Sequence, residues 1–254
     1  MHSEKGQLSI EVCFSPLSWP LFRSEDALVV IIDIFRASTA ICAAFHNGVD
    51  TIIPVAEVSE SEAWKQKGYI VAGERDGQKL ACADFGNSPF NFLDPGLRGK
   101  TIVMNTTNGT QAIKMVSDNT REVVIGSFLN ISAICRYALS LGRPILLFCA
   151  GWKNRFSLED TLFAGAMVEK ILYEARGRYY ANCDSAIASA DLWLLAKGNP
   201  LQYIEKAAHR HRLKTMGLDD ILEYSLTQDI TEAVPVLIDG MIRDLRRLPT
   251  PAGL

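Results

Sequence analysis

The sequence predicts an α/β chain with three layers, in which helices cover both faces of a mostly parallel or mixed central sheet. Three observations carry the prediction. Residues 27–35, ALVVIIDIF, form a nearly continuous apolar run, the pattern of a central strand buried on both faces. Such runs alternate along the chain with segments of helical pattern, as right-handed strand–helix–strand crossovers require. Polar, glycine-bearing corners separate many of the strands from the helices that follow. The 254 residues carry no repeats, low-complexity tracts or linker-like stretches, so a single domain over 1–254 is expected.

Taken in order, residues 8–14 alternate as a strand, and prolines 16 and 20 interrupt the chain after it. In the 27–35 run the only charge is Asp33, followed at once by Arg36, and residues 40–47 have helical composition. An acid and an arginine at the C-terminal end of a buried strand occupy the place where open α/β sheets bind ligands; they also suit a simple helix cap. Residues 50–56 read as a strand, and 59–67 as a polar helix with Ser59 as N-cap and Glu62 three residues on. The strand 69–73 ends in GERDG, which places Glu74 and Arg75 at a second such corner, or in a solvated turn.

Residues 84–99 form a long irregular stretch rich in Gly, Pro and Asn, a length that in compact proteins accompanies function or mobility. Residues 101–114 then give a strand, a tight polar loop and an amphipathic helix. The loop, with Thr107, Asn108, Gly109 and Thr110, offers hydroxyls, amides and the free N–H groups of a helix start. That is a natural anion site, and equally an N-cap rich in Thr and Asn. Strand 122–125 leads through Ser127 and Asn130 into a helix over 131–141. Strand 144–149 precedes a loop, and Ser157 with Asp160 starts a long helix to about residue 175 in capping-box spacing. The remainder from 185 is largely helical in pattern, with a turn at 197–200. The cluster His209, Arg210, His211 and Arg212 reads as a solvated helix face, and residues 229–235 and 243–247 show no clear motif.

Composition narrows the function classes. Apolar residues make up 48% and charged residues 22%, and the net charge is −3. No global pull toward nucleic acid or an acidic membrane follows, so any anion handling is local. The six cysteines form no CxxC pair and sit mostly in apolar runs, as buried thiols in a reducing compartment. No run reaches the roughly 18–20 apolar residues of a membrane span, and the N-terminal stretch lacks a signal-peptide layout. A cytoplasmic protein is expected, for which a homodimer is plausible on general grounds.

The corners together supply Asp33, Arg36, Glu74, Arg75, Asn108, Ser127, Asn130 and Asp160. Carboxylate oxygens are what Mg²⁺ prefers, one or two of them with water and phosphate, and guanidinium groups fit phosphate, carboxylate or sulfonate. The inventory suggests phosphoryl chemistry on a small, strongly anionic substrate. Cys149 and Arg155 match the C-x₅-R spacing of cysteine phosphatases, but the loop lacks a preceding His and a hydroxyl after the Arg, and the match reads as chance.

Seven blocks occur in order: DIFRAS (33–38), GERDG (73–77), FGNSP (85–89), TTNGT (106–110), GSFLN (126–130), CAG (149–151) and EDTLFAGA (159–166). With them the chain closely resembles the 2-phosphosulfolactate phosphatase family, Mg²⁺-dependent phosphatases of coenzyme M biosynthesis. The likeness runs from about residue 27 to about 240 and takes in His209, Leu213, Gly217, Asp229, Val234 and Pro235. The family's DVLRATST stands here as DIFRASTA, with Phe35 and Ser38; Asn105 opens the TTTNGT block, and Phe163 replaces the Cys of EDTLCAGA. No carboxylate or arginine is lost.

The resemblance implies hydrolysis of the phosphate ester of a 2-hydroxy carboxylate, giving sulfolactate and phosphate. In the division of roles expected from residue chemistry, Asp33, Glu74 and Asp160 hold Mg²⁺ and one acts as general base. Arg36 and Arg75 clamp the phosphate and the carboxylate or sulfonate, while Thr107, Asn108, Gly109, Thr110, Ser127 and Asn130 bind substrate. Three alternatives stay open: a non-catalytic sensor of small phosphorylated or sulfonated acids, a metal-free cysteine phosphatase, and the same Mg²⁺ chemistry on another substrate.

Overall fold

In the computed structural model, residues 6–117 and 120–248 are described; the first five residues of the stretch read for a leader lie outside them. The chain runs β1 (Leu8–Cys13), the single turn α1 (Trp19–Phe22), β2 (Leu28–Ile32), α2 (Ala37–Asn47), β3 (Thr51–Val55) and α3 (Val58–Gln66). Then follow β4 (Ile70–Arg75), the two-residue β5 (Gln78–Lys79), β6 (Thr101–Asn105), α4 (Gly109–Ser117), β7 (Glu122–Gly126) and α5 (Ile131–Leu141). Next come β8 (Ile145–Cys149), α6 (Leu158–Glu174), β9 (Tyr179–Ala181) and α7 (Asp184–Ala196). Three short helices, α8 (Pro200–Ile204), α9 (Ala208–Thr215) and α10 (Leu222–Leu226), precede the hairpin β10 (Pro235–Ile238) and β11 (Met241–Asp244).

The α/β class holds: one mixed sheet of 11 strands runs in the order β5-β4-β6-β3-β11-β10-β7-β2-β8-β1-β9. Every residue of β2 is buried. Leu28, Val30 and Ile32 enter a core with residues of α5, α6 and α7, while Val29 and Ile31 enter one with residues of α2 and α4. That period of two places helices over both faces, hence three layers. Where α6 crosses α7, a Cβ on Gly165 would stand 1.9 Å from the Ser189 carbonyl oxygen, so only glycine permits this approach.

Three expectations fail. The N-cap of α3 is Glu57, in a capping box with Glu60, in place of the pair Ser59 and Glu62. The C-terminal segment without a motif is a hairpin wedged inside the sheet: β11 pairs antiparallel with β3 and β10 with β7. Through these three antiparallel steps the hairpin joins one half of the sheet, β4–β6–β3, to the other, β7–β2–β8–β1–β9, each half being parallel within itself. The 209–212 cluster is no solvated face either, since Arg210 is buried and paired with Glu205 and Asp219 and His209 bonds to Glu159. Among the described residues no helix is long and apolar enough to cross a membrane.

Candidate active site

The C-terminal ends of strands from both halves meet in one cleft. Asp33 and Arg36 follow β2, Glu74 ends β4, Asn108 follows β6 and Trp152 follows β8, and all five line it. His209, Arg212 and Met216 close it from the α9 side. Each strand delivers its polar residue because the apolar run stops at the sheet's edge and the loop must find partners for its backbone.

Asp33 is buried, and its Oδ1 accepts a 3.3 Å bond from the Ala37 N–H at the start of α2. Burial pushes its pKa up from 3.8 to about 6; His209 and the Ala37 bond oppose this, and the charges of Glu74 and Glu159 add to it. Gly109 exists to let α4 approach: a Cβ there would stand 2.5 Å from the Ala37 Cβ and 2.8 Å from Asp33 Oδ2. Glu74 is fixed by three donors. Its Oε1 accepts from the Thr107 N–H at 2.7 Å, and its Oε2 from the Gly77 N–H at 2.7 Å and the Thr107 hydroxyl at 3.0 Å.

Arg36 is 7% exposed, and among the described residues its guanidinium makes no hydrogen bond or ion pair. Burial lowers its pKa, with Glu74, Asp33 and Asp220 opposing. A buried cation with no direct partner among the described residues, on the wall of a cleft that also holds two carboxylates, has the chemistry to clamp an anion. Asn87 adds to the site: it is 4% exposed, lines the cleft, and its Oδ1 has no hydrogen-bond partner among the described residues. Asn108 accepts from the Lys153 N–H at 3.0 Å through Oδ1, and no hydrogen bond of its Nδ2 is found among the described residues.

Several residues expected in the site are placed elsewhere. Arg75 turns away from the cleft and braces backbone, donating to the Ala56 carbonyl at 3.1 Å, to Asn105 Oδ1 at 2.7 Å and to the Thr106 carbonyl at 3.4 Å. Asp160 accepts from the Ile34 N–H at 2.9 Å and the Gly151 N–H at 3.0 Å, tying the loops after β2 and β8 together without lining the cleft. Its pKa is raised well above the ordinary range by burial and by the Glu159 and Asp33 charges. Thr107 serves Glu74, and Thr110 exchanges hydrogen bonds with Thr106 to close the loop. Asn130 spends its amide on the Ser127 N–H and on the Ile125 and Ala233 carbonyls, and Ser127 beside it is fully buried.

Cys149 is fully buried, and burial raises its thiol pKa well above 9.0, while Arg155 lies exposed; the C-x₅-R spacing builds no thiolate site. The sequence context of His209 gives it no chemical role. Its Nδ1 stands 2.5 Å from Oε1 of the buried Glu159, and the signal for it was its place in a family block.

Among the described residues no three His, Cys, Asp or Glu side chains gather as a metal site. Two carboxylates, Asp33 and Glu74, together with the orphaned Asn87 Oδ1, nevertheless form the hard oxygen set that Mg²⁺ takes alongside water and phosphate.

The 2-phosphosulpholactate phosphatase model matches residues 13–240. A protein of Thermotoga maritima described as "Probable 2-phosphosulfolactate phosphatase" is 37% identical over 233 residues, 91% of this chain and 96% of its own. Proteins of the same description from Caldanaerobacter subterraneus subsp. tengcongensis and Clostridium tetani are 35% and 32% identical. The first alignment covers 85% of this chain and 89% of the relative, the second 87% and 94%. The chain belongs to the 2-phosphosulpholactate phosphatase family, a family of phosphoric monoester hydrolases.

Proposed function

We propose that the cleft hydrolyses the phosphate monoester of a small 2-hydroxy acid, foremost 2-phosphosulfolactate to 3-sulfolactate and phosphate, with Mg²⁺ as cofactor. The observation that carries the reading is Arg36, a buried guanidinium with no partner among the described residues beside Asp33 and Glu74. Arg36 and the free Asn108 amide hold the phosphoryl oxygens and take up the charge that grows on them. Asp33 and Glu74, with Asn87 Oδ1, would hold Mg²⁺, which when bound neutralises phosphoryl charge and lowers the pKa of a coordinated water. Asp33 works ionised, as ligand or as acceptor of the attacking water's proton. With Nδ1 engaged by Glu159, His209 has Nε2 to donate a proton to the departing alkoxide.

A phosphate-release screen tests this over 2-phosphosulfolactate, 2-phospholactate, 2-phosphoglycolate and 2-phosphomalate, each with Mg²⁺ and with EDTA. Release that needs Mg²⁺ and falls on the order of 10³-fold in Arg36→Gln is expected. Binding without release from any ester would replace the enzyme by a sensor of phosphorylated acids.

A further inference from the structure

Trp152, His209 and Arg212 of the cleft also line a second, larger cavity, whose further lining includes Lys153, Arg155 and Lys206. The carboxylate in its lining is Glu159, 2% exposed and bonded to His209. In a chain of net charge −3, this is a local excess of positive charge. Lys153 pairs with Asp76 at 2.7 Å, and Lys206 sits 3.5 Å above the Tyr203 ring. Arg155 and Arg212 make no side-chain hydrogen bond or ion pair among the described residues. The Arg212 Cζ lies over the Trp152 ring, 4.4 Å from its centroid, and the Arg212 Nε is buried without a partner among the described residues. By contrast, the cavity that shares Arg36 balances Arg36 and Lys79 against Glu74 and Asp220. The asymmetry matters because a cavity lined by one sign of charge focuses its field on an incoming anion. A guanidinium held over an indole face keeps its outer N–H groups for a two-oxygen acid group.

We infer that the basic cavity is a second anion subsite, in which Arg212 receives the acid group that a phosphorylated hydroxy acid carries apart from its phosphate. Arg36 and Arg212 then grip the two ends of one ligand, and Arg212 takes the place that the sequence suggests for Arg75. The identity of that ligand rests on the proposed phosphatase activity; the subsite itself does not.

Two measurements on the intact protein separate the claims. In the first, kcat/KM is compared on 2-phosphosulfolactate, 2-phospholactate and isopropyl phosphate, which lacks a second acid. Arg212→Gln is expected to lose at least tenfold more on 2-phosphosulfolactate than on isopropyl phosphate, chiefly through KM. The 2-phospholactate arm assigns the group: an excess loss there too points to the carboxylate, and its absence to the sulfonate. The rim variant R155Q/K206Q is expected to show an excess loss of at least threefold. Equal losses on the esters with and without a second acid, in both variants, overturn the subsite. In the second measurement, sulfoacetate is titrated calorimetrically into wild type and Arg212→Gln. At least tenfold weaker binding by the variant supports the subsite; equal affinity, or no binding by wild type, overturns it. If no ester is hydrolysed, the phosphatase reading fails, and this titration alone decides the subsite.

Discussion

His209 Nδ1 and Glu159 Oε1 stand 2.5 Å apart, joining α9 to the first turn of α6 beside the cleft. Burial works to raise the Glu159 pKa, but the bond and charge of His209 outweigh it and leave the carboxylate below its ordinary 4.5. The pair therefore fixes the His209 ring beside the cleft and ties α9 to α6.

Breaking this pair has two consequences. His209→Ala leaves Glu159 buried without its partner, which costs about 3–5 kcal/mol, measurable by urea unfolding. It also lowers kcat on the order of 10²-fold or more if His209 protonates the leaving group. The depressed Glu159 pKa contributes stability that is present above 4.5 and lost as pH falls through the lower folded value. In Glu159→Gln, the fall in stability with acid is shallower. Identical acid limbs in the two proteins contradict the pairing.

Asp33 gives the opposite sign. Its folded pKa of about 6 lies above the ordinary 3.8, so in the metal-free protein the ionised form is disfavoured by folding. The cost develops as pH rises from 3.8 to about 6 and is complete above it; at about 1.4 kcal/mol per pH unit it is on the order of 3 kcal/mol. Asp33→Asn, which keeps the Oδ1 acceptor for Ala37, is expected to be more stable than wild type at pH 8 in EDTA. The gap closes as pH falls toward 4, while activity is lost at every pH. A variant less stable at pH 8 contradicts the assignment.

The three carboxylates expected around a metal separate into two classes. Asp33→Asn and Glu74→Gln are expected to weaken Mn²⁺ binding, followed by electron paramagnetic resonance, by tenfold or more. Asp160→Ala is expected to change that affinity little and to lower stability by about 2–4 kcal/mol, because two buried N–H groups lose their acceptor. Loss of Mn²⁺ affinity in a still folded Asp160→Ala returns Asp160 to the ligand set.

Cys149 supplies a clean negative. A fully buried thiol with its pKa well above 9.0 is no nucleophile. Cys149→Ser is expected to keep kcat/KM within about threefold, and iodoacetamide to leave the folded enzyme active. Inactivation by either would restore the cysteine phosphatase.

Legible in the residues alone were the α/β class, a buried strand within 27–35, the main helices, and the corners that carry Asp33, Arg36, Glu74 and Asn108. Those are local matters: apolar periodicity sets an element's type, and a short loop after a strand keeps its polar residues at that strand's end. Packing between elements, which is not local, makes Arg75 and Asp160 tie distant segments together, Arg75 through two carbonyls and the Asn105 side chain and Asp160 through two N–H groups, and sets the C-terminal hairpin inside the sheet between its two parallel halves. It also decided that His209 and Arg212, more than 170 residues from Asp33 in sequence, complete the cleft. The reason is physical. A charged or polar side chain takes whichever partner the fold brings within about 3 Å, and that partner is fixed by packing between elements, which no local pattern records.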